Sequence, residues 1–161
     1  PNWINDFWRI LGLIHFADKH YFETTTGSTK EKSPVKRFDK EKIIAFCEKN
    51  GLAFFDTAQK VCRLKDNADD NFLEIVEGTD VLALLQQMPS CHTIVTTGGK
   101  ASEELQVYFE KQGIHTSIPK VGESISIMMS PTLLTWWHMP STSRAYPMKL
   151  EQKAEYYKQI R

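Results

Sequence analysis

Apolar residues fall at positions 7, 8, 10, 11, 13 and 14 of the opening segment. That spacing predicts a helix over residues 6–16 with a broad buried face, and Asn5 or Asp6 stands where a cap belongs. The polar run ETTTGSTKEKSPV, residues 23–35, predicts a loop. Residues 39–50 predict a second helix. Asp39 caps it, Ile43, Ile44, Phe46 and Cys47 make its apolar face, and Asn50-Gly51 stops it. Residues 52–55, Leu-Ala-Phe-Phe, predict a short buried strand that ends at Asp56-Thr57. Residues 60–79 are polar and irregular, with an apolar patch at 72–76. Thr79-Asp80 then opens a helix through Leu82, Leu84 and Leu85 that stops before Pro89. A strand over 92–95 exits through Thr96-Thr97-Gly98-Gly99 into a helix over 100–112, closed by Gly113. Residues 114–118, 124–129 and 133–138 predict further strands, and 151–160 a final helix.

Strands alternating with helices predict an α/β fold, with a mainly parallel central sheet between helical layers. No repeat or long linker divides the chain, so one domain over 1–161 is expected. In such folds ligands bind at the carboxyl ends of the strands. Three marked segments are expected there and could face one cleft: Asp56-Thr57, Thr96-Thr97-Gly98-Gly99-Lys100, and Met139-Pro140-Ser141-Thr142-Ser143-Arg144.

Composition narrows the function classes. Hydrophobic residues make up 41% and charged residues 25%, and no apolar run approaches the ~20 residues of a membrane span. Cys47, Cys62 and Cys91 are widely spaced and form no CxxC pair, so reduced cytoplasmic thiols are expected and a zinc or iron–sulfur site is not. Net charge is zero, which argues against a general nucleic-acid coat protein. The bases nevertheless gather in 30–49 and 144–161 and the acids in 66–80, so one face can still meet phosphate.

The candidate chemistry is concentrated in the strand exits. Thr97, Gly98, Gly99 and Lys100 allow a tight turn into a helix whose first N–H groups can face an anion, although GxxxxGK[ST] is absent. A simple strand-to-helix turn explains the same residues. Pro140 to Arg144 pack three hydroxyls, several backbone N–H groups and one cation into a short loop, a set suited to phosphate oxygens and also common in plain turns. Asp56 could orient a ligand or activate water, or cap its own loop. His138 stands opposite in facing to Met139 and reads as a structural histidine. The other four histidines show no metal-ligand spacing, and no GxSxG occurs.

Taken together, these segments resemble the uracil-DNA glycosylase superfamily, closest to its mismatch-specific and hypoxanthine-type branches. The residues that carry the resemblance are Asn5-Asp6-Phe7-Trp8-Arg9-Ile10, Gly51-Leu52-Ala53-Phe54-Phe55-Asp56-Thr57, Thr97-Gly98-Gly99-Lys100-Ala101 and Met139-Pro140-Ser141-Thr142-Ser143-Arg144-Ala145. The resemblance covers nearly the whole chain and implies a three-layer α/β/α sandwich. It also implies removal of a deaminated or mismatched base, by flipping the nucleotide out and hydrolysing its N-glycosidic bond. Phe7 matches the aromatic that stacks on the flipped base, and Asp56 and Thr97 are further base-binding candidates. Pro140, Ser141, Thr142, Ser143 and Arg144 match the loop that packs along the minor groove. Arg144 or Tyr146 matches the wedge, and Gly98, Gly99 and Lys100 match a turn that approaches the DNA backbone.

The resemblance implies no cofactor and no metal. The expected partner is double-stranded DNA bearing a lesion or mismatch, the expected localisation cytoplasmic, and the expected state a monomer without membrane association. The family's first motif, with the residue that positions water, belongs ahead of Asn5. Native residues including a first strand are therefore expected before Pro1, and within the chain Asn5 and Asp6 are the candidates for catalysis. Met139 stands where relatives carry His or Asn, and Thr96-Thr97 where some carry an Asn that reads the base edge. Uracil, thymine and hypoxanthine therefore all remain open. So do two other readings: a DNA-binding relative without catalysis, and an unrelated α/β enzyme for a small phosphorylated ligand.

Overall fold

A computed structural model describes residues 2–26, 35–63, 73–129 and 132–160, with 26, 59–63 and 73–77 described by their backbone alone. The chain divides into two compact units, Pro1–Ala53 with Met139–Arg161, and Phe54–His138.

The first unit begins with α1, Phe7–Phe16, which has the predicted bounds within a residue. A strand pair follows, β1 (Glu23–Thr26) and β2 (Val35–Phe38), antiparallel with Glu23 opposite Phe38. Residues 23–26 and 35, expected to belong to a loop, are therefore strand, and residues 27–34 lie outside the described residues. Helix α2, Lys40–Asn50, is capped as predicted: the Asp39 carboxylate accepts from the Lys42 N–H at 3.1 Å, and Gly51 ends the helix at φ 63°. Helix α5, Leu150–Tyr157, packs on α1 and runs into a single 3-10 turn. Trp8, Leu11, Phe22, Phe38, Ile43 and Phe46 form the core of this unit.

Gly12 in α1 is required for space. A β-carbon there would stand 2.5 Å from the Asp18 carbonyl oxygen, and the Gly12 carbonyl itself accepts the Asp18 N–H at 3.3 Å. We expect Gly12→Ala to destabilise the protein by about 1–3 kcal/mol, because backbone must shift to admit the methyl group. Urea unfolding checks this. A change below about 0.5 kcal/mol would show that the α1 exit yields freely.

The second unit contains β3 (Ala58–Arg63) and β4 (Leu73–Gly78), antiparallel with register shifts near Lys60. Helix α3 (Val81–Gln87) starts on Asp80, whose carboxylate accepts the Ala83 N–H at 3.1 Å. The Tyr108 hydroxyl donates to the same carboxylate at 2.6 Å and is the main reason its pKa falls below the ordinary value. Next come β5 (Thr93–Thr97), α4 (Gly99–Lys111), β6 (Glu123–Met129) and β7 (Thr132–Met139). The sheet order is β5-β7-β6. β6 and β7 are antiparallel, and the sheet is mixed, with two parallel strands. Alternation puts Ile125, Ile127, Leu134 and Trp136 on one face, where they pack with Leu105 and Phe109 of α4.

Helices and strands mix as an α/β class requires, but several expectations need correction. The described strands form one mixed three-stranded sheet and two antiparallel pairs, not a single mainly parallel sheet. Residues 52–55 are not a strand and are exposed, Phe54 by 51% and Phe55 by 56%. Residues 114–118 are not a strand either, and the stretch read as irregular over 60–79 holds most of β3 and all of β4. A short apolar run is enough to suggest a strand, but a strand also needs a partner for its N–H and C=O groups. No helix of the described residues is long and apolar enough to cross a membrane. Cys47 and Cys91 are free thiols, each half-buried rather than fully buried, while the Cys62 side chain lies outside the described residues.

Candidate functional site

In the first unit the chain start meets the loop that follows β7. The Asp6 N–H donates to the Thr142 carbonyl at 2.8 Å, and Asn5 forms an isolated antiparallel bridge with Ser143. Two segments more than 130 positions apart are thereby fastened backbone to backbone. Both are parts of the sequence that carry the family resemblance.

Asp6 is the hub of the side chains there. Its Oδ1 lies 3.1 Å from Arg144 Nε and 3.7 Å from Arg9 Nη1, and its Oδ2 lies 3.4 Å from Lys153 Nζ. Lys153 has no exposed surface and also donates to the Ser143 carbonyl at 2.7 Å. Arg9 is buried too. It pairs with Glu23 at 2.7 Å, donates to the carbonyls of Trp3 and Asn5, and lies over the rings of Trp3 and Phe38. The Tyr157 hydroxyl donates to the Pro140 carbonyl at 2.8 Å. Burial pushes the Tyr157 phenol far above its ordinary pKa, so it remains a donor at any physiological pH.

The loop is stiffened from within as well. Ser141 Oγ accepts the Ser143 N–H, and Ser143 Oγ accepts the Ala145 N–H, each at 3.2 Å. Pro140 and Thr142 are buried, and Ser143 and Arg144 are exposed. Tyr146 is half-buried, its ring centre 6.0 Å from Lys153 Nζ. Asn5 caps locally, its Oδ1 accepting the Phe7 N–H at 2.8 Å. Phe7 is half-buried, edge-on to Trp8 and to Tyr157 with ring centres 5.2 and 6.1 Å apart. Met139 is fully buried.

The remaining candidates belong to the second unit. Gly98 takes φ 93°, which a side chain rarely adopts, and its carbonyl accepts from both the backbone and the hydroxyl of Ser102. Gly99 is the first residue of α4. Lys100 pairs with Glu104 one turn on, at 2.6 Å, and that hydrogen bond is the main cause raising its pKa. Thr97 is half-buried. Asp56 is exposed, and its carbonyl accepts the Thr79 hydroxyl. His138 donates through Nδ1 to the Pro119 carbonyl at 2.8 Å, while Nε2 is buried without a hydrogen-bond partner among the described residues, so the structural reading of this residue holds for one nitrogen. Among the described residues no group of three or more His, Cys, Asp and Glu could hold a metal ion.

Sequence reasoning missed Arg9, Lys153 and Tyr157 as parts of this site. Lys153 and Tyr157 stand four apart in α5, on the face that also buries Ala154. A lysine on a helix normally reads as solvated surface, and only its partners across the fold reveal otherwise. No protein-family model, curated protein or solved structure matches this chain, so its functional reading rests on these residues alone.

Proposed function

We propose that this chain is a DNA glycosylase, of the three-layer α/β/α kind, that hydrolyses the N-glycosidic bond of uracil, thymine or hypoxanthine in lesion- or mismatch-bearing duplex DNA. The observation that carries the reading is the junction of Asn5-Asp6-Phe7-Trp8 with Pro140-Ser141-Thr142-Ser143-Arg144, joined by the Asp6–Thr142 hydrogen bond and the Asn5–Ser143 bridge. A base-flipping enzyme needs a stacking aromatic beside the loop that grips the backbone, because unstacking costs a few kcal/mol that both contacts must offset. Phe7 provides the aromatic, while Arg144 with the Ser141 and Ser143 hydroxyls provides the grip.

With the full-length protein and duplexes holding U, T or hypoxanthine opposite G, we expect alkali-labile product from at least one. Phe7→Ala should slow its formation roughly 5- to 150-fold, the equivalent of about 1–3 kcal/mol of lost stacking. Absence of base release from every duplex would remove the enzyme assignment.

A second reading is favoured by one observation. Met139 is fully buried and apolar where relatives carry a hydrogen-bonding residue, and Asp6 is compensated by three cations rather than free to activate water. That combination suits a DNA-binding relative without catalysis. It would bind duplex with strong salt dependence and release no base.

A further inference from the structure

We propose that Asp6 and Arg144 form an exchangeable latch: Arg144 leaves Asp6 for a phosphate group, while Arg9 and Lys153 keep the Asp6 charge compensated. The proposal rests on the reading of the 140–144 loop as a nucleic-acid contact and adds how that contact is held in reserve.

The three cations around Asp6 are not equivalent. Arg9 and Lys153 are buried, at 5% and 0% exposure, and each is also tied elsewhere, Arg9 to Glu23 and Lys153 to the Ser143 carbonyl. Withdrawing either one would break a second polar contact as well as its pair with Asp6. The Arg144 side chain is 45% exposed, and its only bond among the described residues is through Nε to Asp6. Its two Nη groups, with four further N–H donors, bond to none of the described residues.

Charge counting points the same way. Asp6 and Glu23 carry two negative charges and Arg9 and Lys153 two positive ones, so the buried cluster is neutral before Arg144 is added. His20 lies 2.9 Å from Glu23 at the exposed margin and adds charge only when protonated. Arg144 is therefore the surplus cation, and its departure leaves no orphaned charge. A half-exposed ion pair is weak in water, whereas the guanidinium fork grips a phosphate through two parallel bonds. The loop backbone need not move, because Thr142, Ser143 and Pro140 stay fastened to Asp6, Lys153 and Tyr157.

The test is a duplex titration followed by NMR at the Arg144 Nε–H, assigned through its loss in Arg144→Gln. We expect that resonance to move on saturation while the Lys153 side-chain signals stay in place. Arg144→Gln should reduce the slope of log K against log salt by about 0.9, one phosphate contact. Asp6→Asn, where its melt shows a folded protein, should bind duplex roughly two- to fivefold more tightly, the worth of a weak exposed pair. An unmoved Arg144 resonance at saturation, or an unchanged salt slope in Arg144→Gln, overturns the latch. If no duplex binds, the functional reading fails, and the latch is then decided with inorganic phosphate at the same resonance. Movement there supports exchange, and no movement overturns it.

Discussion

Trp136→Ala is expected to cost about 3–5 kcal/mol of stability, the range for deleting a fully buried large aromatic. Trp136 has no exposed surface and packs with Leu105, Phe109, Ile127 and Leu134, its ring centre 6.0 Å from that of Phe109. It also acts as a polar anchor. Its indole N–H donates to Thr96 Oγ1 at 2.9 Å, Thr96 Oγ1 lies 2.8 Å from Ser102 Oγ, and Ser102 Oγ donates to the Gly98 carbonyl at 3.2 Å. This chain of bonds ties β7 to the exit of β5 and the first turn of α4.

Trp136→Phe separates the two contributions. It keeps most of the ring but loses the donor, and Thr96 retains Ser102 and the Trp137 carbonyl at 3.2 Å. We expect about 1–2 kcal/mol for this variant, one net hydrogen bond plus a small packing defect. Urea midpoints at unchanged slope give both values. Equal losses in the two variants would show that the hydrogen bond, not the ring, sets the effect. A loss below about 1 kcal/mol in Trp136→Ala would mean that the core around α4 collapses into the space.

The helices were the legible part of this fold because their ends are written locally. Asp39 and Asp80 cap α2 and α3 through hydrogen bonds three residues away, and Gly51 ends α2. The strands were less legible because pairing is not local. Thr24 and Thr25 are β-branched but polar, and their partners Arg37 and Lys36 are polar too, so a two-stranded ribbon wet on both faces leaves no alternation to detect. Residues 52–55 misled in the opposite sense, as an apolar run without a strand. The 140–144 loop stood out through its composition. Its fastening did not, because the Asp6–Arg144 pair spans 138 positions and Lys153 looks like any helical surface lysine.

The same cluster supplies the other large effect, and it is a lopsided one. Asp6→Ala should cost about 3–5 kcal/mol, because it removes the carboxylate that compensates the fully buried Lys153 and leaves the Ser143 carbonyl as its hydrogen-bond acceptor among the described residues. Loss of a helix cap contributes little, since the Asp6 side chain makes no capping hydrogen bond to α1. Its backbone bond to Thr142 survives the substitution. Lys153→Met should cost only about 1–2 kcal/mol. It removes the charge with its side chain, and Asp6 keeps Arg144 at 3.1 Å and Arg9 at 3.7 Å. The double variant Asp6→Ala/Lys153→Met should then be more stable than Asp6→Ala alone, because no uncompensated ammonium remains in the interior. Urea unfolding of all four proteins closes the cycle, with an expected coupling of about 1–3 kcal/mol. Simple addition of the two single losses would mean that the Lys153 charge is compensated by groups other than Asp6, and that Asp6 serves Arg144 alone.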